Sequence, residues 1–258
     1  MKICKTILIT LITCIIAIGC SRPEKQSDNQ LTKQEKEQGW ELLFDGSTFT
    51  NWRGLGRDTI EWNNWKVENG MIHKVNSHEV PLLPNGEAID GGDLITIDSF
   101  LNFELQWDWK ILPDGNSGIK YNVSEEISKA HTSGYSALGF EYQILDDGAE
   151  KYKDLKPSQY TGSLYDMYPP HDVRLNPPGE FNHSRILLNG NHGEHWLNGI
   201  KVLDYNFGTT EFDSLFQLSK YAKYDGFKIR AKRHIVITNH TDDSWYKNIK
   251  IRRLDNLQ

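Results

Sequence analysis

Apolar and polar residues alternate in short runs along most of the chain. Phe103, Leu105, Trp107 and Trp109 are interleaved with Glu104, Gln106, Asp108 and Lys110, a period of two that predicts a strand with one buried face. Runs of the same kind at 65–67, 93–97, 118–123, 140–145, 235–238 and 245–252 predict further strands. Between 183 and 207, Asn189-Gly190 and Asn198-Gly199 separate β-rich runs. Asn-Gly accepts positive φ at both central positions of a tight turn, so a three-stranded meander is expected there. Only 211–223, with Phe212, Leu215, Phe216 and Leu218 at near-helical spacing, reads as a short helix. Many short strands without an internal repeat or a second linker predict an all-β chain, folded as one sandwich or barrel.

The N-terminus departs from that pattern. Lys2 and Lys5 precede an apolar run over 7–18 and then Gly19-Cys20, the charged, apolar and small-residue parts of an export signal. The run is shorter than the about 20 apolar residues of a membrane span. Ala17-Ile18-Gly19-Cys20 is similar to a bacterial lipobox, which implies a signal peptide over 1–19 and a lipid on Cys20. The expectation is an exported protein, lipid-anchored and facing the periplasm, with an ordinary cleaved secretory signal as the alternative. In 21–38 Leu31 is the lone aliphatic residue and there is no aromatic, so 20–38 reads as a flexible tether. The folded domain is expected over 39–255.

Composition removes several chemistries. The 258 residues carry 29 Lys and Arg against 35 Asp and Glu, a net charge of -6, and no basic run, so nucleic acid is excluded as a partner. Cys4, Cys14 and Cys20 all precede the domain, which excludes disulfides, thiol catalysis and cysteine metal sites from it. The histidines show no H-E-x-x-H spacing, and neither a G-x-S-x-G elbow nor a complete nucleotide fingerprint is present.

Candidate chemistry collects in a few segments. Glu141 and Gln143 are two apart on one strand, which puts both side chains on one face about 7 Å apart. Asp146 joins them only across a β-bulge. The E-x-Q-x-x-D spacing resembles the E-x-D-x-x-E strand of laminarinase-type retaining glucanases, with Gln at the central position and Asp at the last. Retaining hydrolysis needs two carboxyl groups about 5–5.5 Å apart, so a neutral Gln143 and a shortened Asp146 count against it. The bland alternative is that Glu141 and Gln143 form the polar face of a solvated strand. Asn116 lies in the turn-rich Pro113-Asp114-Gly115-Asn116-Ser117-Gly118. Tyr165 and Asp166, in Thr161-Gly162-Ser163-Leu164-Tyr165-Asp166, precede a proline-rich loop and are candidate hydrogen-bond partners of a sugar. His240 ends an apolar strand and opens a polar loop, where a sheet can hold a base that still reaches solvent.

Seven segments occur together in order: Glu41-Leu42-Leu43-Phe44-Asp45-Gly46, Gly91-Gly92-Asp93-Leu94, Gly115-Asn116-Ser117-Gly118, Glu141-Tyr142-Gln143-Ile144-Leu145-Asp146, Thr161-Gly162-Ser163-Leu164-Tyr165-Asp166, His195-Trp196-Leu197-Asn198-Gly199 and Trp245-Tyr246-Lys247-Asn248-Ile249. Over about residues 39–254 the chain thereby resembles the 3-keto-disaccharide hydrolase family. The resemblance implies a two-sheet jelly-roll sandwich of the concanavalin A-like lectin and glucanase type. It also implies chemistry in the periplasm on glycosides already oxidised to a ketone at C3, beside an NAD-dependent sugar 3-dehydrogenase that makes the ketone. The family's usual Gln-Asp-His-Gly stands here as Thr238-Asn239-His240-Thr241, which keeps the histidine and lacks the carboxylate.

A carbonyl at C3 acidifies the hydrogen on C2, so elimination of the C1 substituent and hydration can replace double displacement. On that route His240 is the expected base and Glu141 the acid. Gln143 and Asn116 are the expected donors to the oxyanion and hydroxyls, and Tyr165, Asp166 and Asp146 are expected to hold the sugar. No cofactor is assigned; a divalent metal is an alternative electrophile whose ligands no spacing identifies. The competing reading is a non-catalytic carbohydrate-binding lipoprotein, because the same sandwich serves binding as readily as catalysis. A retaining glucanase is the third.

Overall fold

The structure is a computed structural model that describes residues 27–61, 63–86 and 91–254. The signal-like segment and Cys20 lie outside the described residues. Thirteen strands follow in chain order: β1 Trp40–Leu42, β2 Trp52–Gly54, β3 Trp65–Glu68, β4 Met71–Lys74, β5 Leu94–Thr96, β6 Phe103–Ile111, β7 Asn116–Val123, β8 Phe140–Leu145, β9 Asn182–Asn189, β10 His192–Leu197, β11 Ile200–Asn206, β12 His234–Ile237 and β13 Ser244–Arg253. Three α-helices, α1 Lys33–Glu37, α2 Glu125–His131 and α3 Thr210–Leu218, stand among them. An eight-stranded antiparallel sheet runs β11-β10-β9-β6-β13-β4-β3, with β1 also on β13, and a five-stranded one runs β2-β5-β12-β7-β8. The fold is the expected two-sheet jelly-roll sandwich.

The period-two run is β6, whose Phe103, Leu105, Trp107, Trp109 and Ile111 are buried while Gln106, Asp108 and Lys110 are half-exposed. Trp107 meets Tyr142 of β8 edge to face, with ring centroids 5.1 Å apart, and so joins the two sheets. Full burial of such a side chain contributes about 1.5–3 kcal/mol, which is what presses the sheets together. The meander forms as β9-β10-β11, and Asn198 and Gly199 take φ of 48° and 81° in its second turn. The helix expected near 211 is α3, capped by the Thr209 side chain, with Phe212 and Phe216 buried.

Two features were not legible in the pattern. Helix α2 has Ser128 as its buried residue and no apolar stripe; it is fixed instead by Glu125, which accepts from both Arg53 guanidinium nitrogens at 2.8 and 2.7 Å and from the Gly56 N–H at 2.9 Å. The tether expected over 20–38 is, in its described part, a docked segment. The Asn29 N–H donates to Asn248 Oδ1 at 2.6 Å, the Asn248 N–H donates back to Asn29 Oδ1 at 2.8 Å, and Asn29 Nδ2 donates to Gly70 O at 2.9 Å. Lys247 pairs with Asp28, and Lys250 with Glu35 of α1. Hydrogen bonds rather than apolar area hold this segment on β13, so its lack of apolar residues did not predict a loose chain.

The five-stranded sheet is covered on both faces. Ile119, Tyr121, Tyr142, Ile144, Ile235 and Ile237 enter the core between the sheets. On the outer face Ile95 and Val236 lie in a smaller apolar cluster with Leu55, Val123 and Ala137. Beside that cluster, on β7 and β8, the same face becomes polar.

Candidate active site

Strands β7 and β8 pair without a register shift, Lys120 opposite Glu141, Gly118 opposite Gln143 and Asn116 opposite Leu145. Alternation then places Asn116, Lys120, Glu141 and Gln143 on the outer face, because Ile119, Tyr142 and Ile144 face the core. A Cβ on Gly118 would stand 2.5 Å from Glu141 Oε1, so the carboxylate occupies space left by the glycine. The outer edge of β8 is closed by the loop before Asp166. Gly162 N–H donates to Gln143 O and Tyr165 N–H to Glu141 O, both at 3.0 Å, and Leu145 N–H donates to Thr161 Oγ1 at 2.9 Å. Tyr165 is therefore paired with Glu141 and shares its face. On the other flank Thr238 N–H donates to Gly118 O at 3.1 Å, which brings the end of β12 and His240 alongside.

Glu141 and Gln143 are each 4% exposed, so the strand is buried on both faces and the solvated-face reading is overturned. Three loops, carrying Tyr165, Tyr221 and His240, supply the cover that sequence pattern could not show.

Asp93 is the buried hub of this arrangement. Its Oδ1 accepts the Asn239 N–H and its Oδ2 the Ala137 N–H, both at 2.7 Å. Lys120 Nζ lies 3.9 Å from Asp93 Oδ2 and donates to Ala137 O at 3.0 Å. Burial disfavours the Lys120 ammonium, but the carboxylates of Glu141 and Asp93 outweigh it and hold its pKa above the ordinary lysine value. Burial pushes His240 below the ordinary imidazole value; the Lys120 charge adds to that shift, while Glu141, Asp93 and Asp242 oppose it. The far end of its loop is pinned by Asp243, whose Oδ1 accepts the Asn76 N–H at 3.0 Å and meets His73 Nε2 at 2.7 Å.

The segment after α3 closes the remaining side. Lys220 Nζ lies 4.2 Å from the centre of the Tyr165 ring, and its backbone N–H donates to Asp166 Oδ2 at 2.8 Å. Partial desolvation lowers the Lys220 pKa against the pull of Glu141. Burial raises the Tyr221 phenol well above its ordinary value, and the facing Glu141 charge adds to this, so Tyr221 stays a protonated donor. Glu141 Oε1, Tyr221 Oη and Thr238 Oγ1 are buried without a partner of hydrogen-bond geometry among the described residues.

The structure thus gathers His240, Glu141, Gln143, Asn116 and Tyr165. Gln143 Nε2 donates to Asn116 Oδ1 at 3.3 Å. The Asp166 carboxylate is engaged by the backbone N–H of Lys220. Asp146 does not join: no bulge forms in β8, and its carboxylate accepts the Asp114 N–H at 2.9 Å, capping the turn before β7. Lys120, Asp93, Lys220, Tyr221 and Thr238 were missed. Lys120 was legible as a lysine at the alternate position of an apolar strand; Lys220 and Tyr221 carried no local signal. Among the described residues no three His, Asp or Glu side chains converge on one point, and the Lys120 ammonium stands opposite Glu141.

Several known proteins are similar to this chain. A 3-keto-disaccharide hydrolase of Bacteroides thetaiotaomicron is 32% identical over 270 residues, covering 93% of this chain and 87% of that protein. Two crystal structures of candidate glycosyl hydrolases from Parabacteroides distasonis are similar. One has TM-score 0.73 and 31% identity, covering 89% of this chain and all of that one. The other has TM-score 0.60 and 26% identity, covering 83% and 99%. With residues 39–252 matching its defining pattern, the chain belongs to the 3-keto-alpha-glucoside-1,2-lyase-like domain family.

Proposed function

We infer that the protein is an exported enzyme that cleaves 3-keto-glycosides by elimination at C2 and subsequent hydration. The observation that supports this reading best is one buried site holding a histidine whose protonated form is disfavoured, His240, and a carboxylate, Glu141, while Asp146, the second carboxylate of the glucanase spacing, is taken up by the Asp114 N–H. Neutral His240 takes the C2 proton, and the C–H electron pair becomes the C2–C3 double bond of an enolate with charge on the C3 oxygen. The ketone then re-forms as the C1–O bond breaks, and the proton taken by His240 passes by way of the Glu141 carboxylate to the departing oxygen. In the second half water adds to C1 of the unsaturated ketone, and the Glu141 carboxylate takes its proton and passes it back by way of His240 to C2. The sum is hydrolysis. Gln143 and Asn116 offer neutral amide donors, and Tyr165 lines the sugar's approach. The substrate ketone has to be made by an NAD-dependent sugar 3-dehydrogenase.

The test is to follow leaving-group release from both anomers of a 4-nitrophenyl glucoside and of their 3-keto counterparts, against the spontaneous rate. Release from keto substrate alone supports the reading. Release from the unoxidised glucoside supports a glucanase, and binding without release supports a carbohydrate-binding protein. Export with lipid on Cys20 is checked by labelled palmitate, which the wild-type chain should incorporate and Cys20→Ala should not.

A further inference from the structure

We propose that Lys120 is the electrophile of this site, its ammonium balancing the charge that develops on the substrate's C3 oxygen. The proposal rests on the elimination reading above.

C2 and C3 are bonded to each other, so the base that takes the C2 proton and the group that receives charge at the C3 oxygen have to be neighbours. Asp93 fixes that proximity. One of its oxygens holds the Asn239 N–H, one residue before His240, at 2.7 Å, and the other lies 3.9 Å from Lys120 Nζ. The ammonium has three hydrogens. Ala137 O takes one at 3.0 Å, and the Asp93 contact is longer than a hydrogen bond, which leaves donor capacity on the face it shares with Glu141. The neighbouring Gln143 and Asn116, with Gln143 Nε2 donating to Asn116 Oδ1, bring only neutral amide donors to this face. A fixed charge in a water-poor site stabilises an enolate oxygen more than an amide does. The two carboxylates beside Lys120 keep it charged, so it acts by charge and transfers no proton.

A lysine that merely pins the loop at Ala137 would leave turnover intact once the fold is retained, and the two roles separate by rescue. Lys120→Ala is assayed on the 3-keto glycosides with and without added propylammonium, together with deuterium uptake at C2 in heavy water. We expect kcat to fall about 10²–10³-fold with little change in KM, the cost of removing one oxyanion donor. C2 exchange should slow in parallel, and propylammonium should restore at least about tenfold of the lost rate. Lys120→Arg, which keeps the charge if the alanine variant does not fold, should lose less than Lys120→Gln, which keeps a donor for Ala137 O. Turnover by Lys120→Ala or Lys120→Gln near the wild-type rate would overturn the role while leaving the reaction intact. Wild-type silence on every keto substrate would overturn the reaction and the role together.

Discussion

The carboxylate of Glu141 lies where a side chain on Gly118 would begin: an added Cβ would stand 2.5 Å from Glu141 Oε1. The glycine on β7 is thus part of how β8 aims its acid. Gly118→Ala forces the buried carboxylate aside, and a displacement of about 1 Å at a reacting group costs on the order of 10²-fold in rate. We expect kcat on a 3-keto glycoside to fall by that order while the thermal midpoint moves by a few degrees. An unchanged kcat would show that the position of Glu141 does not matter to turnover.

The pH–rate profile follows from His240. Burial holds its pKa below the ordinary imidazole value, and a base works when neutral, so kcat/KM should be flat through pH 7 and fall only below about pH 6.5. Glu141 opposes that shift. Glu141→Gln should therefore move the acid limb to still lower pH, besides lowering the rate about 10²–10⁴-fold through loss of the acid. His240→Ala should lower the rate comparably and abolish the limb. An acid limb that survives in His240→Ala would assign it to another group.

The strands were legible wherever one face was buried and the other was not. In β6 the alternation of Trp107 and Trp109 with Asp108 and Lys110 is the burial pattern itself. On β8 the same logic failed in an informative way. Glu141 and Gln143 were correctly placed on one face, yet that face is covered, because loops from distant parts of the chain close over it. Strand parity is local and cover is not. The E-x-Q spacing could not say which cations would lie opposite: Lys120 follows from the β7–β8 register, and Lys220 from the bond between its backbone and Asp166. Asp146 was misplaced because a bulge was needed to bring it in, and the turn it caps needed its carboxylate more.

Asp93 tests how the base is held. Both its oxygens accept backbone N–H groups at 2.7 Å, from Asn239 and Ala137. In Asp93→Asn one of those acceptors becomes an NH₂, which faces an N–H donor and leaves it unsatisfied in a buried place. That costs about 1–3 kcal/mol, read as a lower midpoint in denaturant. Because one of the two donors belongs to the residue before His240, kcat should fall more than KM rises. A variant as stable as wild type but with intact kcat would remove Asp93 from the positioning of the base.

His195 sets a pH dependence of stability that is separate from catalysis. It is fully buried between the sheets, with Nδ1 2.9 Å from Gly162 O and Nε2 2.9 Å from the Tyr121 hydroxyl. The carbonyl can only accept, so Nδ1 carries the proton and Nε2 accepts from the tyrosine. Burial lowers its pKa from 6.5 to about 4, against the hydrogen bond to Gly162 O, which favours the charged form. The unfolded chain binds this proton at its ordinary pKa and the folded chain does not until about pH 4. Between those values the unfolded state holds the extra proton, so stability falls as pH falls, with a slope of one proton. From pH 7 to pH 5 the loss from this residue is about 2 kcal/mol, or roughly 4–8 °C in midpoint for a domain of this size. Glu35 and Glu125, each held at about 2 in the fold from an ordinary 4.5, add their losses only at lower pH. His240 is shifted in the same direction as His195, so His195→Gln should make the slope shallower rather than remove it, at the cost of a lower midpoint at pH 7. Thermal melts of both proteins from pH 7 to 5 decide this. Parallel slopes would show that His195 is protonated in the fold well above pH 4, and that the Tyr121 hydroxyl does not donate to it.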